Sequence, residues 1–153
     1  MWANRVEVTA MVQVKLVADQ QQLESAYEIR CKVFVVEQQV PAAEEYDEFE
    51  TSSRHFLAYG ADGLPCGTAR WRYTPKGIKL ERFAVLEEYR GKGVGAALVQ
   101  KVLEDIAPQP DARGKTLYLH AQLTAMPLYA KFGFKPEGPE FLECDIRHYL
   151  MKK

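Results

Sequence analysis

The sequence predicts an α+β fold, a mixed and mostly antiparallel sheet of six or seven strands with helices on both faces. Three observations carry that expectation. Between residues 56 and 85 three apolar-alternating runs are separated by short turns rich in Gly, Pro and Asp, the pattern of an antiparallel meander. A run of helical period, Val94, Leu98, Val102 and Ile106, lies between two strand-like runs and reads as a crossover that brings the chain back parallel to the strand it left. Another run of helical period precedes the meander, so helices are available for both faces.

Taken in order, residues 12–17 alternate as a first strand. Asp19 then caps a helix whose apolar residues Leu23, Ala26, Tyr27, Ile29, Val33 and Phe34 recur at helical spacing, and Pro41 closes it. Residues 42–50, AAEEYDEFE, are acidic enough for a short helix or an ordered loop with an exposed face. Residues 56–60 and 66–73 form a hairpin about Asp62-Gly63, and a turn at 75–77 leads into a strand at 78–85. The helix begun by Val94 ends before the loop PQPDARG, and the strand TLYLHA follows at 116–121. Residues 124–132 form a short helix ended by Gly133, and 146–151 make the last strand. No internal repeat, low-complexity tract or linker interrupts this order, so residues 1–153 are expected to be one domain.

Composition narrows the function. Hydrophobic residues are 47% and charged residues 27% of the chain, ordinary for a globular protein, and a formal net charge of -1 offers no long-range attraction to nucleic acid or anionic membranes. A small-molecule partner is expected. Cys31, Cys66 and Cys144 are odd in number and contain no CxxC, which suggests neither a disulfide framework nor a zinc site. The three histidines lack metal-ligand spacing, so no metal is expected. The stretch MWANRVEVTAMVQV alternates polar and apolar residues instead of forming a continuous apolar run, and a cytoplasmic location is expected.

The most informative stretch is RGKGVG, residues 90–95, with three glycines and two cations between a strand-like and a helix-like run. Glycine permits close approach of a ligand, and the first turn of a helix presents unpaired N–H groups with partial positive charge, so the natural guest is phosphate. A nucleotide P-loop is excluded, because Lys92 precedes Gly93 and alanines follow Gly95 where lysine and a hydroxyl residue are required. Gly91-x-Gly93-x-x-Ala96 fits the dinucleotide fingerprint on paper. Four residues separate it from the strand, however, and His120 and Gln122 stand where a ribose-binding acid is needed.

Taken as Arg90-x-x-Gly93-x-Gly95, the stretch resembles the acyl-CoA signature of the GNAT N-acetyltransferase superfamily. The resemblance extends to LERFAV before it, the helix after it, LYLHAQ, and LYAKFGF, which is similar to the superfamily's Tyr-containing motif B. RCKVFVVEQQVP, EEYDEFE and His55 resemble the ElaA-like subgroup of acyltransferases, and the likeness spans nearly the whole chain.

The resemblance implies the GNAT fold, acetyl-CoA as acyl donor, coenzyme A as product and a small-molecule primary amine as acceptor, with a homodimer common in the superfamily. Phe83, Ala84 and Val85 would run beside the pantetheine arm, with the N–H near Val85 polarising the thioester carbonyl. Gly91, Lys92, Gly93, Val94, Gly95 and Ala96 would cradle the pyrophosphate, with charge added by Arg90 and Lys92. Gln122 stands where many members have a coenzyme-contacting asparagine, and Tyr129 matches the general acid of motif B. For the general base two candidates stay open beside a water chain. Glu81 would share a face with Phe83 and Val85 if no bulge intervenes, and His120 lies on the neighbouring strand. For the acceptor pocket the resemblance points to Arg30, Glu37, Gln38, Asp47, Glu48, His55 and His148. A domain of this fold that binds acyl-CoA without turnover, as a sensor or assembly partner, is the alternative.

Overall fold

In the computed structural model, which describes residues 12–153, strands β1 (Gln13–Leu16), β2 (Arg54–Tyr59), β3 (Pro65–Thr74), β4 (Gly77–Val85), β5 (Leu117–Gln122), β6 (Lys135–Glu143) and β7 (Ile146–Lys152) form one sheet. Its order is β1-β2-β3-β4-β5-β7-β6, and every neighbouring pair is antiparallel except β4 with β5. The amino-terminal alternation lies outside the described residues as far as residue 11.

Alternation along the strands gives the sheet two chemically different faces. The register pairs Trp71 with Leu80 and Leu119 with Met151 on one face, and Arg72 with Lys79 and Lys79 with Tyr118 on the other. The apolar face is covered by α3 (Val94–Ile106), whose Val94, Leu98, Val99, Val102 and Ile106 are buried in one cluster with Phe56, Trp71, Leu80 and Leu119. Asp105 fastens the far end of this helix, accepting from the Trp71 indole at 2.9 Å and from Arg54 at 2.7 and 2.9 Å. On the other face lies α1 (Gln20–Arg30), with Ala26 and Ile29 buried against Leu57 and Ala84. Its cap is reciprocal. The Asp19 carboxylate accepts from the Gln22 N–H at 2.8 Å, and Gln22 Oε1 accepts from the Ala18 N–H at 2.6 Å.

Three features differ from expectation. The first helix, expected to run until Pro41 closes it, is α-helical only to Arg30 and continues as a π-helical stretch, Cys31–Glu37, with the Gln38 N–H reaching the Val33 carbonyl at 3.1 Å. The acidic segment holds the short helix expected, α2 (Ala42–Glu45), but of the helix expected at 124–132 only α4 (Met126–Ala130) is α-helical, after a 3-10 turn. The third is β6, which no periodicity announces. Its residues are exposed apart from the half-buried Phe141, it contains Pro136, Gly138 and Pro139, and its register with β7 slips between Glu137 and Phe141. Edge strands tolerate proline and bulges because one side of the ladder is unpaired. No helix among the described residues is long and apolar enough to cross a membrane.

Candidate active site

The site begins where the sheet opens. β4 and β5 pair only at Ile78↔Leu117 and Lys79↔Tyr118, and beyond these residues they part. Leu86 donates its N–H to the Cys66 carbonyl of the preceding strand at 2.9 Å, so alternation aims the backbone groups of Val85 and Phe83 the other way, into the notch. Such a backbone edge needs hydrogen-bond partners from solvent or from a ligand. The notch is part of a cleft of about 850 Å³ that runs from the glycine turn to the tip of the β6–β7 hairpin.

A bulge shapes its wall. Arg70 pairs with Glu81 and Thr68 with Ala84, so β4 carries one extra residue there, and Arg82 takes the left-handed φ of 60°. Glu81 therefore does not share a face with Phe83 and Val85, as unbroken alternation required. Glu81 stays on the charged face, while Phe83 and Val85 pack with the cluster beneath α3.

At the other end, Gly93 is the N-cap of α3 with φ 83° and no side-chain cap, and Gly91 has φ 77°. A Cβ placed on either glycine would meet nothing within 4 Å, so it is the left-handed conformation that calls for glycine, and the space above the turn is open to a ligand. The uncapped first-turn N–H groups of α3 face this opening, a fit to the phosphates of coenzyme A. Gly95 differs, since its Cβ would press on Leu128 Cδ2 at 3.2 Å. Its smallness serves helix packing as well.

Arg90 is not a free cation. Its Nε donates to the Val85 carbonyl at 3.0 Å and its two terminal nitrogens bind Glu37 at 2.6 and 2.7 Å. That ion pair draws the Glu37 carboxyl below its ordinary range. The next residue, Gln38, accepts a bond of 2.9 Å from Gln122 Nε2. Glu37 and Gln38, at the end of the π-helical stretch, thus reach both sides of the notch.

Tyr129 sits on α4 against this opening. Its ring is buried, meeting Phe83 edge-on at 5.6 Å and Phe134 at 6.4 Å, and burial pushes its hydroxyl above the usual phenol range. Among the described residues the hydroxyl has no hydrogen-bond partner, while the residue lines the cleft. A protonated phenol is therefore held at the notch.

The charged face forms the remaining wall. Four carboxylates, Glu45, Asp47, Glu50 and Glu81, interlock with four guanidiniums, Arg30, Arg70, Arg72 and Arg82. Arg70, 0% exposed, binds Asp47 at 2.7 Å, Glu50 at 2.8 Å and Glu81 at 2.7 Å. Burial works to raise the Glu81 carboxyl, but Arg70, Lys79 and Arg72 overcome it and hold it at about 2. Asp47 is likewise held at about 2, by Arg70 and the Phe49 N–H against burial.

These shifts set the response to acid. Both groups ionise in the folded chain below their ordinary values of 3.8 and 4.5, so their stabilisation is complete above that range and is lost as pH falls toward 2. Glu45, raised by burial, opposes the loss in part. The urea midpoint is expected to decline gently from about pH 7 to 5, because burial lowers the proton affinity of His55, and to fall steeply between about pH 4 and 2. A midpoint unchanged down to about pH 2.5 would contradict an ionised lattice.

Of the residues singled out for an acceptor pocket, Glu37, Gln38, Asp47 and His148 line the cleft, whereas Arg30, Glu48 and His55 do not. Arg30 is 1% exposed, bonded to Glu45 at 2.7 Å and Glu50 at 2.8 Å, with Tyr27 and Tyr46 packed around its cation. The buried His55 donates from Nε2 to the Glu50 carbonyl at 2.7 Å, and burial lowers its proton affinity. Glu48 is exposed. On the coenzyme side Phe83, Ala84, Val85, Arg90, Gly91, Gly93, Val94, Gly95, Gln122 and Tyr129 line the cleft, with Glu81 and His120 further along it. Lys92 and Ala96 do not, and Lys92 instead places its ammonium 5.6 Å from the Tyr89 ring. Sequence reasoning missed Arg72, Lys79, Arg82 and Glu143 as cleft residues. Alternation in RWR and IKLE carried a signal for Arg72 and Lys79, whereas Glu143 lies on the unannounced strand.

The profile of the acetyltransferase (GNAT) domain matches residues 15–153. An uncharacterised N-acetyltransferase of Bacillus subtilis, YjcF, is 41% identical over 88% of this chain and 94% of its own. Protein ElaA of Escherichia coli is 34% identical over 86% of this chain and 87% of its own. The crystal structure of E. coli ElaA superposes with a TM-score of 0.79, covering 94% of this chain and 100% of that one at 27% identity. A GNAT acetyltransferase of Elizabethkingia anophelis, solved with acetyl-CoA bound, shares the fold at a TM-score of 0.66 and 15% identity, covering 94% of this chain and 97% of its own. With its seven-stranded mixed sheet and a family match over nearly its whole length, this chain belongs to the GNAT family of acetyltransferases and is an acyltransferase.

Proposed function

We propose that this acyltransferase moves an acetyl group from acetyl-CoA to a primary amine of a small molecule, by direct attack of the amine on the thioester. The observation that carries the reading is the continuity of one cleft from the open glycine turn at α3 to the parted edge of β4. The acetyl-CoA bound to the E. anophelis protein of the same fold supports the choice of donor.

Acetyl-CoA supplies an acyl group already activated as a thioester. The N–H groups of Gly93 to Gly95 hold the pyrophosphate, and the free edge of Phe83 and Val85 pairs with the pantetheine arm as an added strand would. Arg90 contributes by tying Glu37 to the Val85 carbonyl rather than by meeting phosphate. The Val85 N–H polarises the carbonyl, and the Tyr129 hydroxyl donates to the departing sulfur. A small acceptor suits the far end of the cleft, which is roofed where the Cys144 thiol donates to Glu44 at 3.1 Å between the β6–β7 hairpin and α2.

The test is calorimetric titration with acetyl-CoA, coenzyme A and NAD, repeated on Gly93→Glu. A glutamate there must adopt a strained left-handed φ and place a carboxylate in the phosphate cradle, so coenzyme affinity is expected to fall by at least about 100-fold. Coenzyme binding lost in the variant supports the reading. Absence of coenzyme binding in the folded wild type would overturn it.

A further inference from the structure

We infer that the amine's proton is taken by Nε2 of His120, and that Glu143 is the positioning residue that holds this ring in the competent tautomer. The inference rests on the proposed amine acetylation and assigns a role to a residue that the chain's own pattern does not announce.

Geometry comes first. His120 Nδ1 lies 3.1 Å from Glu143 Oε1. An ionised carboxylate can only accept, so Nδ1 carries the hydrogen and Nε2 is left with its lone pair. The ring is held on its other sides by Phe141, edge-on at 5.1 Å, and by Tyr118 at 6.2 Å. It is partly exposed, and both His120 and Glu143 line the cleft that contains Tyr129 and the notch. A carboxylate fixing one imidazole nitrogen so that the other can accept a proton is the same division of labour as in a serine hydrolase triad.

The competing groups are already committed. Glu81, across the notch on β4, holds Arg70 at 2.7 Å, Arg72 at 2.7 Å and Lys79 at 3.4 Å. A carboxylate so surrounded has little affinity for a further proton. His148 on β7 donates Nδ1 to the Ile146 carbonyl at 2.7 Å, is 5% exposed, and lies stacked on Phe141. Its Nε2 faces Glu143 at 3.8 Å rather than the open cleft. Lys79 of β4 acts on the same Glu143 carboxyl, and Lys152 of β7, the cross-strand partner of Tyr118, is paired with Glu137 of β6 at 2.9 Å. Glu143 alone gives the ring a direct carboxylate bond among the described residues.

The balance of the step is complete. An ammonium acceptor loses one proton to His120 Nε2, which passes it to solvent. The freed nitrogen lone pair forms the C–N bond, the C–S pair leaves with sulfur, and the second nitrogen proton replaces the one Tyr129 gives to that sulfur. The products are an amide, a thiol and one released proton.

The test joins a tautomer measurement with kinetics. Nitrogen-15 NMR of histidine-labelled protein is expected to show His120 as the Nδ1–H tautomer in its neutral form, and to show that preference lost in Glu143→Gln but kept in Glu140→Gln. In thiol-release assays with acetyl-CoA and an amine found by screening, His120→Gln is expected to lower kcat by about 100-fold with the acetyl-CoA KM unchanged. Glu143→Gln is expected to lower kcat less and to move the acidic limb of the pH profile to lower pH. An Nε2–H tautomer in the wild type, a tautomer indifferent to Glu143→Gln, or full kcat in His120→Gln would overturn the inference while leaving amine acetylation standing. A wild type that binds coenzyme A yet acetylates no amine would overturn the proposed reaction and, with it, the role of His120 as amine base.

Discussion

Tyr129→Phe is expected to lower kcat by about 100-fold while leaving coenzyme A affinity and thermal stability close to wild type. The ring does the packing here, between Phe83 and Phe134, and phenylalanine reproduces it. Only the hydroxyl is lost, and it has no protein partner to leave behind among the described residues. Burial holds the phenol above its usual range, so it stays protonated and able to donate near neutral pH. Burial raises thiols in this protein too, as at Cys66, pushed up to about 11. A sulfur leaving inside the cleft gains proton affinity for the same reason, which keeps donation from Tyr129 well matched. Single-turnover thiol release and calorimetry with coenzyme A would separate the two quantities. An unchanged kcat would remove Tyr129 from the chemistry, and a loss of coenzyme affinity equal to the loss in rate would make it a binding residue.

Arg70→Met is expected to destabilise the protein by about 3–5 kcal/mol at neutral pH. Arg70 is fully buried and holds Asp47, Glu50 and Glu81 together, so its removal takes the shared cation from three carboxylates in a poorly hydrated site and leaves them only Arg82, Arg30 and the Arg72–Lys79 pair. Against a domain stability of roughly 5–15 kcal/mol, that loss takes away a large share of the native-state margin. The sign of the pH dependence follows from the depressed carboxyls. Protonation relieves the surplus negative charge, so the gap between variant and wild type should narrow as pH falls below about 4. Arg147→Met supplies the contrast, since its pair with Glu140 is on the surface, screened by solvent, and its loss should leave the urea midpoint close to wild type. Urea melts at two pH values read both effects. Equal deficits for the two variants would mean that the buried lattice is no more than a surface network.

Much of the proposed coenzyme side was legible because it is local. A glycine that must take positive φ, a helix beginning one residue later, and a strand just before it are all written within about fifteen residues, from Leu80 to Val94. The acceptor side was not legible in the same way. In EEYDEFE the choice lay between a solvated acidic face and a pocket for a cation. Instead Glu45, Asp47 and Glu50 turn inward to arginines 15 to 37 residues away in sequence. Their charge is largely spent within the fold, and Glu44 and Glu48 remain in solvent.

The same division explains the proposed base. Unbroken alternation placed Glu81 beside Phe83 and Val85, and the bulge at Arg82 put them on opposite faces. His120 was visible in its strand, but its partner Glu143 is carried by an edge strand with prolines, a glycine and a register slip. Fold class and phosphate turn follow from backbone preferences and side-chain period, which act over a few neighbouring residues, whereas Tyr129 was picked out by the resemblance of LYAKFGF to motif B. Which carboxylates keep a usable charge, and which histidine keeps a free nitrogen, depend on desolvation and on partners delivered from other strands. Those are settled only when the sheet assembles.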